Sequence, residues 1–289
     1  MAELTMDNKT ECPSVSPEKP QKVLLLYSGG TDSTLCAALL AQKYSEVHLL
    51  TLSRRGIFNI KNSACNVKKL RAAFKNVKFI HTIKSCENFF RFLSYERFFT
   101  NIRKFGFFNL STCGICKLSM HISAIEYALE NSIALAADGA NQGMDIYPAQ
   151  MKEVIVLIRE LYTIAGLTLV NPVFHLDGIR DNDFLKRLDI DVKKNSGPTA
   201  GKKLYKMGLM PEENVKGSDL DRKMQAQCFG LILFHIFAKW YFLENHSMQE
   251  YIDKTVQFYN FKIKMLTPLI KELKKKGKAS FLGRISGRN

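Results

Sequence analysis

Six residues, Ser28, Gly29, Gly30, Thr31, Asp32 and Ser33, stand where an apolar run, KVLLLY (22–27), gives way to helical spacing in DSTLCAALLAQKY (32–44). A strand ending there and a helix beginning there leave the first backbone N–H groups of the helix without intrahelical partners. The helix dipole adds about half a positive charge at the same point. Adjacent glycines let the backbone approach an oxyanion closely, and the hydroxyls of Ser28, Thr31 and Ser33 add donors. The chemistry predicted is a grip on phosphate; the plainer reading is a tight turn with a helix cap. The Gly-Lys-Ser/Thr nucleotide loop is excluded because there is no lysine, and the dinucleotide fingerprint because the glycines are adjacent. A helix terminus contributes roughly 0.3–1 kcal/mol per exposed anion, too little to hold a triphosphate alone. Asp32 would repel phosphate directly, so it is expected to act through Mg²⁺ or to cap the helix.

Thiols form the second set. TCGICK places Cys113 and Cys116 in a C-x-x-C at the start of a helix, where a thiol pKa is expected to fall. Such a pair serves zinc, redox or cluster chemistry. A structural zinc asks for a second ligand pair, and no second C-x-x-C exists. Cys228 opens the apolar stretch CFGLILF. Three cysteines are too few for a closed four-cysteine site and suit a [4Fe–4S] cluster with one open iron. Two other readings stay open: Cys113 or Cys116 carries sulfur directly, or Cys228 is a small buried apolar residue.

Ser-Gly-Gly-X-Asp-Ser after a first strand resembles the signature of the PP-loop, or N-type, ATP pyrophosphatases. The resemblance implies that residues 28–33 hold the pyrophosphate of ATP, and that Thr51 and Leu52, at the end of the second strand, lie near adenine. It also implies that a substrate oxygen attacks the α-phosphate, and that a second nucleophile then displaces AMP. The C-x-x-C with one later cysteine is similar to the tRNA 2-thiocytidine synthetase group, whose cluster carries sulfide on a free iron. CKLSMHISAIEYALENSIALAADGANQG resembles a segment of the sulfur insertases that build the nickel-pincer cofactor, where a strand ends in Asp-Gly-Thr-Asn. Here Asp138, Gly139 and Asn141 match, with Ala140 in place of Thr, and Gln142-Gly143 replaces the following Asp-Asp. The Gly-His-His type stretch of the tRNA thiolases is also missing.

The function implied is ATP-dependent adenylation, yielding AMP and pyrophosphate, for sulfur transfer to tRNA or a small molecule. ATP, Mg²⁺ and a [4Fe–4S] cluster are the implied cofactors, and a sulfur donor protein the implied partner. Ammonia-dependent amidation or nitrile formation, as in the queuosine-precursor synthases, is the first alternative. A non-catalytic ATP- or RNA-binding module is the second. Asp138 and Asn141 can equally be read as a turn that caps the next helix.

These residues need elements to position them. Strand patterns at 22–27, 46–52, 77–83, 133–139 and 167–173 alternate with helical patterns at 32–44, 63–74, 114–132 and 149–166. That alternation predicts a parallel five-stranded sheet with helices on both faces. Ligands of such sheets bind beyond the carboxyl ends of the strands. The Phe-rich stretch ENFFRFLSYERFFTNIRKF is expected as one helix, more core than base-stacking surface, with Arg91, Arg97, Arg103 and Lys104 keeping an RNA role open. After about residue 180 the pattern is mainly helical. The expected division is a tail over 1–20, a nucleotide domain over 21–178 and a helical region over 179–289.

The 289 residues carry a formal charge of +15, which favours a polyanionic ligand or a basic solvated surface. Seven cysteines without a repeating framework, behind an N-terminus with no apolar signal segment, point to a reducing, cytoplasmic compartment. The run CFGLILFHIFAKWYF is too short to span a bilayer and reads as a buried helix. The helical third could also serve as a dimer surface. His121 is expected as a core histidine, and His175 as a weaker candidate for the cleft.

Overall fold

A computed structural model describes residues 22–106, 112–144, 146–175, 200–209, 223, 225–244 and 246–287. The expected tail and the domain boundary at 178 lie outside the described residues.

Five parallel strands form the main sheet: β1 (Lys22–Leu26), β2 (Glu46–Ser53), β4 (Lys78–Ser85), β5 (Leu135–Asp138) and β6 (Thr168–Val170), in the order β4-β2-β1-β5-β6. The uninterrupted apolar run of β1 suits the central position, covered on both faces. The strand order reverses at β1, which has β2 on one side and β5 on the other. The sequence-predicted sheet is therefore the observed one. On one face lie α1 (Thr31–Ala41), α2 (Cys65–Ala73) and α7 (Ala200–Lys206), packed on Leu25, Val47 and Leu49. The other face carries α3 (Glu87–Leu93), α5 (Thr112–Glu130), α6 (Lys152–Ala165), α8 (Gly230–Leu243), α9 (Met248–Lys276) and α10 (Phe281–Ser286). The C-terminal helices thus share one core with the sheet, through Phe234, Tyr251 and Tyr259.

Local chemistry sets the boundaries. Gly166 ends α6 in the left-handed conformation, φ 79°. Ser247 and Glu250 form a capping box at the start of α9. The Phe-rich stretch is not one helix: α3 stops at Leu93, and α4 (Phe98–Phe105) starts after a turn of 3₁₀ helix. Ser94 Oγ donates back to Phe90 O at 2.6 Å. Asn101 Nδ2 and the buried Lys262 Nζ donate to Leu93 O. Side chains thus satisfy carbonyls that a continuous helix would have used. Phe89, Phe90 and Phe92 are core, whereas Tyr95, Phe98 and Phe99 are exposed.

A feature the pattern did not predict is a small antiparallel pair, β3 (Ile57–Phe58) with β7 (Gln227–Cys228). Phe229 N–H donates to Gly56 O at 2.8 Å. This pairing carries a segment of the C-terminal region back over the ends of β1 and β2. No helix among the described residues is long and apolar enough to cross a membrane.

Candidate functional site

The site lies at the carboxyl ends of β1, β2 and β5, where the strand order reverses and the flanking connections leave a crevice. Gly29 makes the turn out of β1 with φ 86°. Gly30 is the helix N-cap and has no side chain to cap the first turn, the place in a helix that suits an oxyanion. Ser33 Oγ donates to Gly30 O at 3.0 Å and lies 3.1 Å from Ser28 Oγ, which accepts from Gly30 N–H. Asn66 Nδ2 donates to Gly29 O at 3.0 Å. The loop is therefore held by bonds among its own residues and by Asn66. Gly139 lets β5 end against this turn: a Cβ there would sit 3.1 Å from Ser33 Cα.

Two cavities meet at the loop. A polar one of about 220 Å³ is lined by Ser28, Gly30, Thr31, Asp32, Ser33, Lys117, Asp138 and Gly139, with Gln150 and Gln225. A more apolar one of about 180 Å³ is lined by Tyr27, Leu50, Thr51, Leu52, Ile57, Met120 and Cys228. Leu26, Ser28 and Lys117 belong to both. A ligand with an anionic end and a flat apolar end fits this pair. Thr51 Oγ1 donates to Tyr27 O at 2.7 Å and lies 2.9 Å from His81 Nε2. Burial, followed by the charge of Arg71, lowers the His81 pKa.

Lys117 and Asp138 form an ion pair within the polar cavity. Lys117 Nζ is 3.0 Å from Asp138 Oδ1 and 2.9 Å from Oδ2. His121 is fully buried; its Nδ1 bonds Tyr162 Oη at 2.9 Å and its Nε2 faces Asp138 Oδ2 at 3.4 Å. Burial alone would raise the Asp138 pKa, but Lys117 and His121 together hold it well below the usual carboxylate range. Burial lowers that of His121, which is a core histidine as expected. Asn141 is buried, accepts from Gly143 N–H at 2.8 Å and makes a turn. The lining residue there is Gln150, which accepts from Asn141 N–H at 2.7 Å. His175 is exposed, edge-on to Phe174, and lines neither cavity.

The thiols gather around Arg54, just beyond β2. Arg54 Nε donates to Cys116 Sγ at 2.8 Å and Nη2 to Cys228 Sγ at 3.8 Å. Cys86 points into the core, donating to Ser53 O and accepting from Ser119 Oγ. The expected fall in thiol pKa at the helix start is reversed. Desolvation, then the neighbouring Cys116 and Cys228, push Cys113 up to about 12, and burial raises Cys116 against the opposing Arg54. No group of three or more metal-ligating side chains among the described residues is placed to hold a metal ion. With a guanidinium between two of its three sulfurs, this thiol set does not fit a [4Fe–4S] cluster. Asp32, by contrast, is among the residues that line the polar cavity, and its carboxylate is a hard oxygen donor of the type that suits Mg²⁺ beside phosphate.

Lys117, Arg54, Gln150 and Gln225 were not singled out by the sequence. Lys117 carried a signal, as the residue directly after the C-x-x-C. The glutamines come from connections with no pattern of their own.

No family model matches the chain, and no curated protein does. Three solved structures are similar to it at low level. A predicted subunit of a tRNA methyltransferase from Methanocaldococcus jannaschii is 18% identical, covering 73% of this chain and 97% of the other, with a TM-score of 0.34. The U34-tRNA thiolase NcsA from Methanococcus maripaludis with its [4Fe–4S] cluster is 15% identical, covering 86% and 74%, with a TM-score of 0.35. An NMN synthetase from Francisella tularensis is 16% identical, covering 85% of each chain, with a TM-score of 0.32. Likeness this low carries no functional argument, which rests on the site's own geometry.

Proposed function

We propose that the chain is an ATP-dependent adenylating enzyme of PP-loop type that activates a substrate oxygen for sulfur transfer. The observation that carries this reading is the pair of joined cavities: a polar one over the Ser28–Ser33 loop and an apolar one at Thr51 and Leu52. An adenine nucleotide has these two ends, and the glycine turn supports phosphate without a P-loop lysine.

In this reading the N–H groups behind Gly30 and the amine of Lys117 hold the β- and γ-phosphates. Asp32 would hold Mg²⁺, which supplies the charge neutralisation that a helix terminus alone lacks. The substrate oxygen attacks the α-phosphorus, the α–β bridging bond breaks, and pyrophosphate leaves on the loop. Preorganised donors at the leaving oxyanion lower the barrier because they need no reorganisation. The substrate carbon, now bearing AMP as leaving group, faces the cavity wall that contains Cys228. A nucleophilic sulfur delivered from that side displaces AMP. The acceptor is a tRNA or a small molecule with an amide-like oxygen.

The test is product analysis. ATP is incubated with the protein and pools of tRNA or of small carbonyl compounds. Acceptor-dependent AMP and pyrophosphate are expected; ADP and phosphate would remove the adenylation reading.

A further inference from the structure

Arg54 is fixed on two sides and offers its remaining donors to sulfur. Its Cζ stacks over the Phe90 ring, 4.4 Å from the centroid, and Nη1 donates to Arg55 O at 2.7 Å. These contacts set the plane of the guanidinium. Nε and Nη2 then point at Cys116 Sγ and Cys228 Sγ. The nearby carboxylate of Glu87 is engaged elsewhere, accepting from Arg55 N–H at 2.8 Å. A neutral thiol is a weak acceptor. A preorganised cation aimed at two thiols gains far more once one of them carries an anionic sulfur, because charge-assisted hydrogen bonds are roughly twice as strong as neutral ones. Arginine suits this task better than lysine, since its weakly hydrated, planar charge can serve two acceptors at once.

We propose that Arg54 is the positioning residue of a sulfur-carrying site, holding a persulfide on Cys116 beside Cys228 at the wall of the adenine-side cavity. This rests on the sulfur-transfer reading given above. Loading uses a donor of the persulfide class, R–S–SH. The Cys116 thiol gives up its proton to water, Arg54 pairs with the anion that burial disfavours, and the sulfur attacks the terminal sulfur of the donor. A bond forms between Sγ and that sulfur, the donor S–S bond breaks, and the donor departs as R–S⁻. The proton on the transferred sulfur is lost to water. The charge left on the terminal sulfur is then paired with the guanidinium. Cys86 takes no part, because its hydrogen bonds run into the core. Cys113 stands on the same helix turn but has no bond to Arg54 among those described.

The test loads full-length protein with glutathione persulfide, removes the excess, and measures sulfane sulfur by cyanolysis over time. Peptide mass spectrometry locates it. Wild-type protein is expected to retain sulfur on Cys116, and Cys116→Ser to lose that site. Arg54→Met is expected to shorten the lifetime of the bound sulfur about tenfold, as for loss of one hydrogen bond to a charged group. Arg54→Lys should restore part of it. Arg54→Gln serves if the methionine variant fails to fold, judged by its thermal melt. Equal lifetimes in wild type and both neutral variants, or no sulfur on Cys116 in wild type, would overturn the assignment. Wild-type protein that holds Arg54-dependent sulfur yet releases no pyrophosphate would remove the adenylation reading and leave Arg54 in its role.

Discussion

Lys117 Nζ touches both carboxylate oxygens of Asp138, 3.0 Å from Oδ1 and 2.9 Å from Oδ2. The pair joins the first turns of α5 to the end of β5 and stands where the two cavities meet. Asp138 keeps the amine in place before a nucleotide arrives, so the charge needs no reorganisation when phosphate binds. Lys117→Met should therefore reduce pyrophosphate release by about a hundredfold, the scale for removing one preorganised donor. Lys117→Arg should recover part of it. Wild-type turnover in the methionine variant would show that the amine serves only Asp138.

The same pair governs acid stability. The folded pKa of Asp138 is depressed, so its contribution is present above the unfolded value of about 3.9 and is lost as pH falls through the folded one. Asp138→Asn should lower stability near neutral pH by about 3 kcal/mol, the scale for breaking a buried pair. The difference from wild type should shrink toward strongly acidic pH. Urea unfolding at a series of pH values measures this; a constant difference across that range would contradict it.

How much of this could be read from the sequence follows from what is local. KVLLLY followed by Ser-Gly-Gly-Thr-Asp-Ser fixes strand, turn and helix within a dozen residues, so the loop and the order of its neighbours were legible. Asp138 was legible as a strand-end polar residue, but its partner Lys117 belongs to another element, and only the sheet brings them together. Cys228 reaches the site through the two-residue strand β7, too short to leave a period-2 pattern. Arg54 follows β2 as an ordinary loop cation, and only its sulfur acceptors distinguish it. The break after Leu93 depends on Lys262, far along the chain, so the Phe-rich stretch read as one helix.

Gly139 is a position where space rather than backbone conformation excludes a side chain. The nearest atoms to an added Cβ are Ser33 Cα at 3.1 Å and Ser33 N at 3.2 Å, both backbone in the first turn of α1. Gly139→Ala must move that turn by a few tenths of an ångström and should cost about 1–3 kcal/mol. The rise in melting temperature on adding ATP reports occupancy of the loop. It should be smaller in the alanine variant; an unchanged shift would separate the loop from nucleotide binding.

Lys262 is buried, with Nζ 2.6 Å from Asn101 Oδ1 and 3.0 Å from Leu93 O. Desolvation, then the charge of Arg97, lowers its pKa to about 8. Between about 8 and the unfolded value of about 10.4, the unfolded chain binds the extra proton, so this group makes stability rise with pH in that window. Lys262→Met should remove that alkaline gain while taking from Asn101 Oδ1 its donor and from Leu93 O one of its two donors at every pH. Denaturant midpoints at pH 7.5, 9 and 10 test it. Parallel pH dependence in variant and wild type would mean that the amine is charged throughout.

Phe99 is 86% exposed, with Phe98 against it at 5.7 Å between centroids and Tyr95 open nearby in sequence. Exposed rings interleaved with arginines offer stacking faces and phosphate contacts, the two components of sequence-tolerant RNA binding. If tRNA is the acceptor, Phe99→Ala should weaken its binding by about 1–3 kcal/mol, the stacking contribution of one base. The dependence of affinity on salt should stay unchanged, because no phosphate contact is lost. Arg103→Ala should instead lower the salt slope by about one phosphate equivalent. Neither change should alter folding stability by more than about 0.5 kcal/mol, since both sites are on the surface. Filter binding of a tRNA pool between low and moderate salt separates the two effects. Affinity untouched by Phe99→Ala would take this face out of acceptor binding, and a protein with no salt-dependent RNA binding at all would leave a small molecule as the acceptor.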